Sequence, residues 1–192
     1  MKLVLAVDVD STVWDTGAWV REAVFEATGE TLDEETTSTW THLLDRHGEA
    51  ATTRIFDRVN APERIAEREP YPCAPEVLRS IQEEWGMTVH FVTRAWDAAA
   101  VTPYLTPWLR RHFGDGVGLT VVDGDKLPVL RDLRAFGVID DRPDTIESAA
   151  DAGLWVAAKL QPWNREFVSG RRGVCGFEDW REVPGLLPVL SG

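Results

Sequence analysis

Two aspartates stand directly after the first apolar run of this sequence, where a buried strand would normally exclude charge. Residues 3–7 (Leu-Val-Leu-Ala-Val) predict a strand buried on both faces, and Asp8 and Asp10 follow it. Burying an unpaired carboxylate costs several kcal/mol or raises its pKa. Ligands of open parallel sheets bind outside the carboxyl ends of the strands. The pair therefore predicts a cation-dependent site at this edge, most simply one that holds Mg²⁺ and a phosphate.

Composition predicts a folded protein and argues against one class of ligand. With 192 residues, of which 44% are hydrophobic and 27% charged, it can bury one core, with room for a sizeable insertion. The formal net charge of −12 argues against binding a polynucleotide, because such binding relies on clustered cations. A small anionic substrate needs only local positive charge and is not excluded.

The sequence also bears on location. Cys73 and Cys175 are too few for a disulfide framework, and we expect both to be free thiols. The amino terminus reaches Asp8 too soon for a signal peptide, and no apolar run has the length of a membrane span. We expect a cytoplasmic protein that does not bind membranes, and we leave a homodimer open.

The order of predicted elements indicates an α/β fold. Between residues 14 and 71 the pattern predicts only helices, at 17–28, 40–47 and 50–59 and from Pro62 onward. That stretch is too long for an ordinary connection, so we interpret it as a helical cap inserted after the first strand. Residues 1–13 and 72–192 are then the core, a Rossmann-like parallel sheet with helices on both faces.

Within the core, strands and helices alternate. Pro103 and Pro107 predict two short helices rather than one long one. The segment after Gln161 is predicted only to pack on a sheet edge. Further strands are expected at 87–92, 119–122, 136–139 and 154–158, and further helices at 76–85 and 146–152.

Four predicted strand ends deliver polar residues to the same edge of the sheet. Each is weak evidence alone, because a Thr often caps a helix, a Lys is usually solvated and an Asp pair often starts a turn. Together and in this order they indicate a site. They are Asp8 with Asp10, Thr93, Lys126, and Asp140 with Asp141.

This pattern resembles that of the haloacid dehalogenase superfamily of phosphotransferases, which has Asp-x-Asp-x-Thr, then a Thr or Ser, a Lys and an acidic pair. The matching segments are residues 8–12 (Asp-Val-Asp-Ser-Thr), 91–94 (Phe-Val-Thr-Arg), 125–127 (Asp-Lys-Leu) and 138–143 (Val-Ile-Asp-Asp-Arg-Pro). The cap length and the segments 139–144 (Ile-Asp-Asp-Arg-Pro-Asp) and 162–165 (Pro-Trp-Asn-Arg) are similar to those of the 5'(3')-deoxyribonucleotidase group. Ser11 departs from the pattern, because the family commonly has Gly there.

The resemblance implies a Mg²⁺-dependent phosphomonoester hydrolase that forms an aspartyl-phosphate. Asp8 would be the nucleophile, and Asp10 the general acid and base. Thr93, Arg94 and Lys126 would bind the phosphoryl group. Metal ligands would be Asp8, the backbone carbonyl of Asp10, and Asp140, Asp141 or both, an ambiguity that the sequence leaves open.

The resemblance also points to a nucleoside monophosphate, most simply a deoxynucleotide, as the small phosphorylated substrate. Trp14 follows the catalytic loop directly, where a ring could stack on a base with roughly 1–3 kcal/mol of stabilisation. Trp40 and Phe56 are weaker candidates for the same role, and Trp96 follows Thr93 near the phosphate. A phosphatase of another small metabolite is the nearest alternative.

Other classes of protein use similar residues. A receiver-type signalling domain also has acids, a Thr and a Lys, but its acidic pair lies on the first strand and its Lys follows all the acids. Here Lys126 precedes Asp140. A dehalogenase would give Asp10 no role. A phosphate-binding protein with an inactive site is disfavoured by the complete set of groups.

Overall fold

The structure is a computed structural model that describes residues 2–33, 40–95 and 97–188. Within these ranges, Trp40 and Thr41 are described by their backbone alone. The strands are Val4–Val7 (β1), Thr88–Arg94 (β2), Gly118–Val122 (β3), Ala135–Asp140 (β4), Trp155–Lys159 (β5) and Val174–Phe177 (β6). The helices are Thr16–Thr28 (α1), Trp40–His47 (α2), Glu49–Val59 (α3), Pro62–Glu67 (α4), Ala74–Glu84 (α5), Ala98–Phe113 (α6), Leu127–Asp132 (α7), Pro143–Asp151 (α8), Arg165–Ser169 (α9) and Val183–Leu186 (α10). In these described ranges, no helix is long and apolar enough to cross a bilayer.

All six strands form one parallel sheet in the order β3-β2-β1-β4-β5-β6. The chain runs outward from β1 through β2 to β3 and then returns to β4 on the other side of β1. Val7 lies between Phe91 on β2 and Ile139 on β4. This reversal is the topological switch point at which such sheets bind ligands. The Rossmann-like α/β fold class is confirmed.

Side-chain alternation along β1 explains why helices cover both faces of the sheet. Leu5 and Val7 are fully buried in the apolar cluster that includes residues of α5 and α6. Ala6 lies in the opposite cluster with residues of α7 and α8. Burial of a Leu or Val side chain stabilises the fold by roughly 1.5–3 kcal/mol, so two apolar faces fix the sheet between two helical layers.

Helices α1–α4 occupy the segment between β1 and α5, and residues of α1, α2 and α3 form most of a separate apolar cluster. Val20 and Val24 of α1 pack in it with Ile55 and Val59 of α3. The division of the chain at residues 14–71 stays a prediction. Two residues inside that range, Trp14 and Ile65, belong instead to the cluster under the sheet.

The start of the cap lies close to the loop that carries Asp8 and Asp10. Asp15 accepts a hydrogen bond from the Ala18 backbone at 2.9 Å and so caps α1, which begins at Thr16. Gly29 ends the helix in the left-handed conformation, with φ of 75°. The first cap helix therefore begins six residues after Asp10.

One prediction about the core was wrong, and another was incomplete. Residues 98–113 form one helix, α6, with both prolines inside it. Pro103 and Pro107 lie on the exposed side, while Leu105 and Trp108 anchor the helix in the core. Packing of the buried side outweighs the backbone hydrogen bonds that the prolines remove. The tail also contributes β6 as a sixth parallel strand, where only edge packing was predicted.

Candidate active site

Four strand ends place the predicted residues at one edge of the sheet. Asp8 follows β1, Thr93 lies near the end of β2, and Asp140 ends β4. Lys126 stands directly before α7, after β3. The backbone N–H of Asp8 donates to the Ile139 carbonyl at 2.8 Å, so the loop after β1 continues the pairing with β4.

Lys126 joins two of the carboxylates. Its Nζ donates to Asp8 Oδ1 at 2.5 Å and to Asp140 Oδ2 at 2.8 Å. All three side chains are at most 3% exposed. Burial alone would lower the pKa of the Lys126 ammonium, but Asp140 and Asp8 together raise it above its ordinary value. Lys126 therefore stays charged and fixes the orientation of Asp8.

A single ammonium does not balance the charge of the site. Burial raises the pKa of Asp8 to about 7, with Lys126 opposing the rise and Asp140 and Asp10 adding to it. Burial, together with Asp8 and Asp140, also raises the pKa of Asp141 well above its ordinary value. Closely spaced buried carboxylates of this kind favour a further cation among them.

The carboxylates of Asp8, Asp140 and Asp141 fit a metal ion. One oxygen each of Asp8, Asp140 and Asp141 lies within 4.8 Å of the others, and all three residues are buried. Carboxylate oxygens are the ligands that Mg²⁺ prefers. The Asp10 side chain is not part of this group, so the metal role predicted for Asp10 rests on its backbone carbonyl alone.

The two members of the acidic pair have different partners. Asp140 accepts from Lys126 through Oδ2 and from the Arg142 backbone through Oδ1 at 2.9 Å. Asp141 accepts from Trp163 Nε1 at 3.0 Å and borders the cavity described below. Asn164 donates to the Asp141 carbonyl at 2.6 Å and to the Lys159 carbonyl at 2.9 Å, and so fixes the loop after β4.

The Asp10 carboxylate is turned toward the cap. Its Oδ1 accepts from Trp14 Nε1 at 2.9 Å and from Thr16 Oγ1 at 2.7 Å. Its Oδ2 accepts a longer hydrogen bond, 3.4 Å, from Thr93 Oγ1. The Asp10 side chain is 41% exposed, while that of Asp8 is 3% exposed. Of the two carboxylates, Asp10 is the one placed to exchange protons with a bound molecule.

A cavity of about 620 Å³ lies over the site, between the cap helices and the edge of the sheet. Asp8, Asp10, Thr93, Lys126 and Asp141 form its polar floor. Its apolar lining includes Val20, Leu43, Phe56, Val59, Ile65, Val101 and Leu105.

Arg94 and Arg142 also border this cavity, and Asp144 accepts from both, at 3.1 Å from Arg94 Nη1 and 3.0 Å from Arg142 Nη2. Their hydrogen bonds and charges hold the pKa of Asp144 well below its ordinary value although burial opposes this. The pair of guanidinium groups is thus held near the phosphate-binding residues predicted from the sequence.

The sequence predicted a Trp14 ring that is open to a stacked base, but the ring is not open. It is 2% exposed, the Arg68 guanidinium carbon lies 4.1 Å from its ring centroid, and the Trp108 ring is 4.5 Å away. Trp14 borders the cavity, but its ring packs against Arg68 and Trp108 and leaves little surface free for a base. Phe56 does border the cavity. Trp96 and the Trp40 side chain lie outside the described residues.

Sequence reasoning missed several residues of the site. Arg68 and Thr16 carry no motif that separates them from other cap residues. Arg68 is fully buried, and its Nη1 lies 3.9 Å from Asp10 Oδ1. Trp163 and Asn164 did have a signal, since they belong to the segment 162–165 on which the resemblance partly rests.

Comparison with known proteins identifies the fold. No family model and no curated protein matches the sequence. Solved structures do match. A haloacid dehalogenase-like hydrolase from Xanthomonas campestris is 15% identical, with 96% of each chain covered and a TM-score of 0.61. A HAD hydrolase from Bacillus subtilis with bound magnesium is 12% identical, with 98% of this chain and 99% of that chain covered and a TM-score of 0.63.

A third structure contains a phosphorylated ligand. It is a Rhodobacter sphaeroides protein in complex with xylulose-1,5-bisphosphate, 17% identical, with 95% of this chain and 96% of that chain covered and a TM-score of 0.62. The chain has the haloacid dehalogenase-type fold. At these identities the likeness extends to the fold and gives no substrate.

Proposed function

We propose that this chain is a metal-dependent phosphomonoester hydrolase of the haloacid dehalogenase superfamily that acts through an aspartyl-phosphate on Asp8. The observation that carries the proposal is the cluster of Asp8, Asp140 and Asp141, buried with the Lys126 ammonium beneath a cavity. Buried carboxylates with too little countercharge destabilise the native state. A fold in which this cluster had no function would therefore lose stability without any gain.

The reaction has two steps, both within reach of the residues described. A carboxylate oxygen of Asp8 attacks phosphorus, the bond to the leaving oxygen breaks, and Asp10 gives that oxygen a proton. Water then attacks phosphorus, Asp10 takes up a proton from it, and the bond to Asp8 breaks to release inorganic phosphate. Thr93 and Lys126 stabilise the charge on the phosphoryl oxygens.

We propose that Asp8, Asp141 and the backbone carbonyl of Asp10 hold the metal, with Mg²⁺ as the ion that suits oxygen ligands. Asp140 is the less suitable ligand because it accepts from the Lys126 ammonium, whereas the Asp141 carboxylate accepts from the neutral donors Thr12 and Trp163 and borders the cavity. When bound, the ion supplies positive charge that offsets the repulsion between the substrate phosphate and Asp8.

For the substrate we propose a nucleoside monophosphate, with deoxynucleotides as the first candidates. The apolar wall of the cavity supports this, because a polyhydroxylated sugar would leave hydroxyl groups without partners there, at about 1–3 kcal/mol each. A planar base can instead lie with one of its apolar faces against this wall. Asn60 also borders the cavity, and its amide offers both a donor and an acceptor to a base edge. We retain the cytoplasmic location as part of this proposal.

The activity is tested with p-nitrophenyl phosphate and Mg²⁺, with and without EDTA. We expect hydrolysis by the wild-type protein, none in EDTA, and none by Asp8→Asn, whose amide is a poor nucleophile. Full activity in EDTA or in Asp8→Asn would contradict the proposal. Circular dichroism shows whether the variant is folded.

The substrate class needs a separate panel of ribonucleoside, deoxynucleoside and sugar monophosphates compared by kcat/KM. We expect deoxynucleoside monophosphates to rank first. A clear preference for sugar phosphates would overturn the nucleotide proposal and leave the phosphatase proposal intact. Phe56→Ala is the matched variant, since it removes an aromatic ring from the apolar wall and leaves the catalytic floor unchanged.

A further inference from the structure

The two oxygens of Asp10 have different surroundings. Oδ1 accepts from Trp14 Nε1 and Thr16 Oγ1, and Arg68 Nη1 is 3.9 Å from it. Oδ2 lies toward Thr93, at 3.4 Å from its hydroxyl, and Thr93 also borders the cavity. An oxygen that already accepts several hydrogen bonds is the poorer carrier of a proton. Oδ2 is therefore the oxygen suited to exchange a proton with the substrate.

Trp14 is held rigidly enough to impose this orientation. The Arg68 guanidinium lies over its ring, and the Trp108 ring packs at 65° to it with centroids 4.5 Å apart. Trp108 Nε1 in turn donates to the Arg68 carbonyl at 2.7 Å. Because these residues are at most 2% exposed, the indole N–H has little freedom to leave Asp10.

Arg68 is unusual for a buried cation. It is fully buried, its Nη2 donates to the Val59 carbonyl, and within the described part of the chain its Nε and Nη1 donate to no acceptor. Burial lowers its pKa to about 10, so it stays charged at neutral pH. Its charge attracts the Asp10 carboxylate toward the cap and toward the Trp14 N–H.

We propose that Trp14 and Arg68 are positioning residues that hold Asp10 through Oδ1 and leave Oδ2 to protonate the leaving group. The inference rests on the proposed phosphatase reaction and adds to it two cap-side residues outside the catalytic motifs. It replaces the stacking role that we predicted for Trp14.

The test uses two phosphates that differ in how much their leaving group needs a proton. Ethyl phosphate releases a strongly basic alkoxide, whereas p-nitrophenyl phosphate releases a weakly basic phenolate. General acid catalysis contributes roughly 10²–10⁴-fold where a proton is needed. For Trp14→Phe, which keeps a ring and removes the N–H, we expect kcat/KM to fall roughly 10–100-fold on ethyl phosphate. On p-nitrophenyl phosphate we expect a fall of no more than about threefold.

Arg68→Met should give the same selective loss, and Arg68→Lys should recover part of the ethyl phosphate activity. Trp108→Phe is the matched control, because it removes a buried indole N–H from the same cluster without touching Asp10. It should change both rates equally. If Trp14→Phe does not fold, the comparison of Arg68→Met with Arg68→Lys decides the question.

The outcomes separate the two proposals. An active wild-type protein whose Trp14 and Arg68 variants lose both rates equally, as Trp108→Phe does, would limit these residues to packing and overturn the inference alone. A wild-type protein that hydrolyses neither ester with Mg²⁺ would overturn the phosphatase function, and the inference with it.

Discussion

Lys126 Nζ lies 2.5 Å from Asp8 Oδ1, although the two residues are 118 positions apart in the chain. They meet because Asp8 follows β1 and Lys126 precedes α7 at the same edge of a parallel sheet. The same ammonium also binds Asp140. One cation thus holds two buried carboxylates in place beside the third, Asp141, and the stability and the chemistry of this edge depend on the same contact.

Replacing Lys126 should therefore damage the fold as well as the reaction. In Lys126→Met a side chain of similar length remains, but Asp8 and Asp140 lose their buried partner. Loss of one member of a buried ion pair costs about 3–5 kcal/mol, and we expect the free energy of unfolding of the metal-free protein to fall by about that amount. Mg²⁺ should restore part of the loss.

Urea denaturation with and without Mg²⁺ checks this prediction. Lys159→Met is the control, because Lys159 is also mostly buried but its ammonium lies over the Tyr71 ring rather than against Asp8. A Lys126→Met protein as stable as the wild type without Mg²⁺ would show that the ion pair is not formed in solution.

The acidic pair should divide its roles unequally. We expect Asp141→Asn to abolish measurable Mg²⁺ binding in calorimetry, since it removes a proposed ligand. Asp140→Asn should weaken Mg²⁺ binding by roughly 10–100-fold, as changes behind the ligands of a metal usually do. It should also lower the thermal stability of the metal-free protein, because Lys126 loses a partner. The reverse ranking of Mg²⁺ affinities would assign the metal to Asp140.

The floor of the site could be predicted from sequence order alone, and its cap side could not. Parallel strands deliver their carboxyl ends to one edge, so the positions of Asp8, Thr93, Lys126 and Asp140 follow from the strands that precede them. Arg68 reaches Asp10 only because the cap folds back over β1. No local pattern in residues 14–71 predicts that return. For the same reason, the sequence did not show that the Trp14 ring is buried.

The strands of the core were predicted where apolar runs are long enough to be distinctive. β6 has only four residues, Val174–Phe177, and the glycine at position 176 weakens its β pattern. Its pairing with β5 arises from tertiary packing, since a Cβ at Gly176 would lie 3.1 Å from Leu160 and Val168 side chains. Close approach of this kind cannot be inferred from one sequence.

The prolines of α6 lead to a stability prediction. Pro103 and Pro107 lie inside the helix on its exposed side, so each removes a backbone hydrogen bond without contributing to the core. We expect Pro103→Ala and Pro107→Ala each to raise the free energy of unfolding by about 1–3 kcal/mol. Part of the gain from the restored hydrogen bond is offset, because the unfolded chain has more conformational freedom without the proline.

Pro62→Ala is the control, because Pro62 stands at the start of α4, where no helical hydrogen bond is lost. We expect it to leave stability unchanged or slightly reduced. If all three variants behave alike in thermal unfolding, α6 is interrupted at its prolines in solution, as the sequence predicted.

The loop that carries Asp10 contains a backbone conformation that serine rarely adopts. Ser11 has φ of 56°, in the left-handed region. Its N–H donates to Thr16 Oγ1 at 3.0 Å and its carbonyl accepts from Gln161 Nε2 at 2.6 Å, so contacts at both ends hold it there. The family to which the sequence is similar commonly has Gly at this position, and Gly enters this region without strain.

Substitution at Ser11 should reveal that strain. The left-handed conformation costs a non-glycine residue roughly 1–2 kcal/mol, while glycine gains about 0.5–1 kcal/mol of freedom in the unfolded chain. We expect Ser11→Gly to raise the free energy of unfolding by up to about 1 kcal/mol and Ser11→Ala to change it little. Ser11→Val should lower it by about 1–3 kcal/mol, because a β-branched residue fits this region worst. Equal midpoints for the Gly, Ala and Val variants in urea would mean that Ser11 leaves the left-handed region in solution.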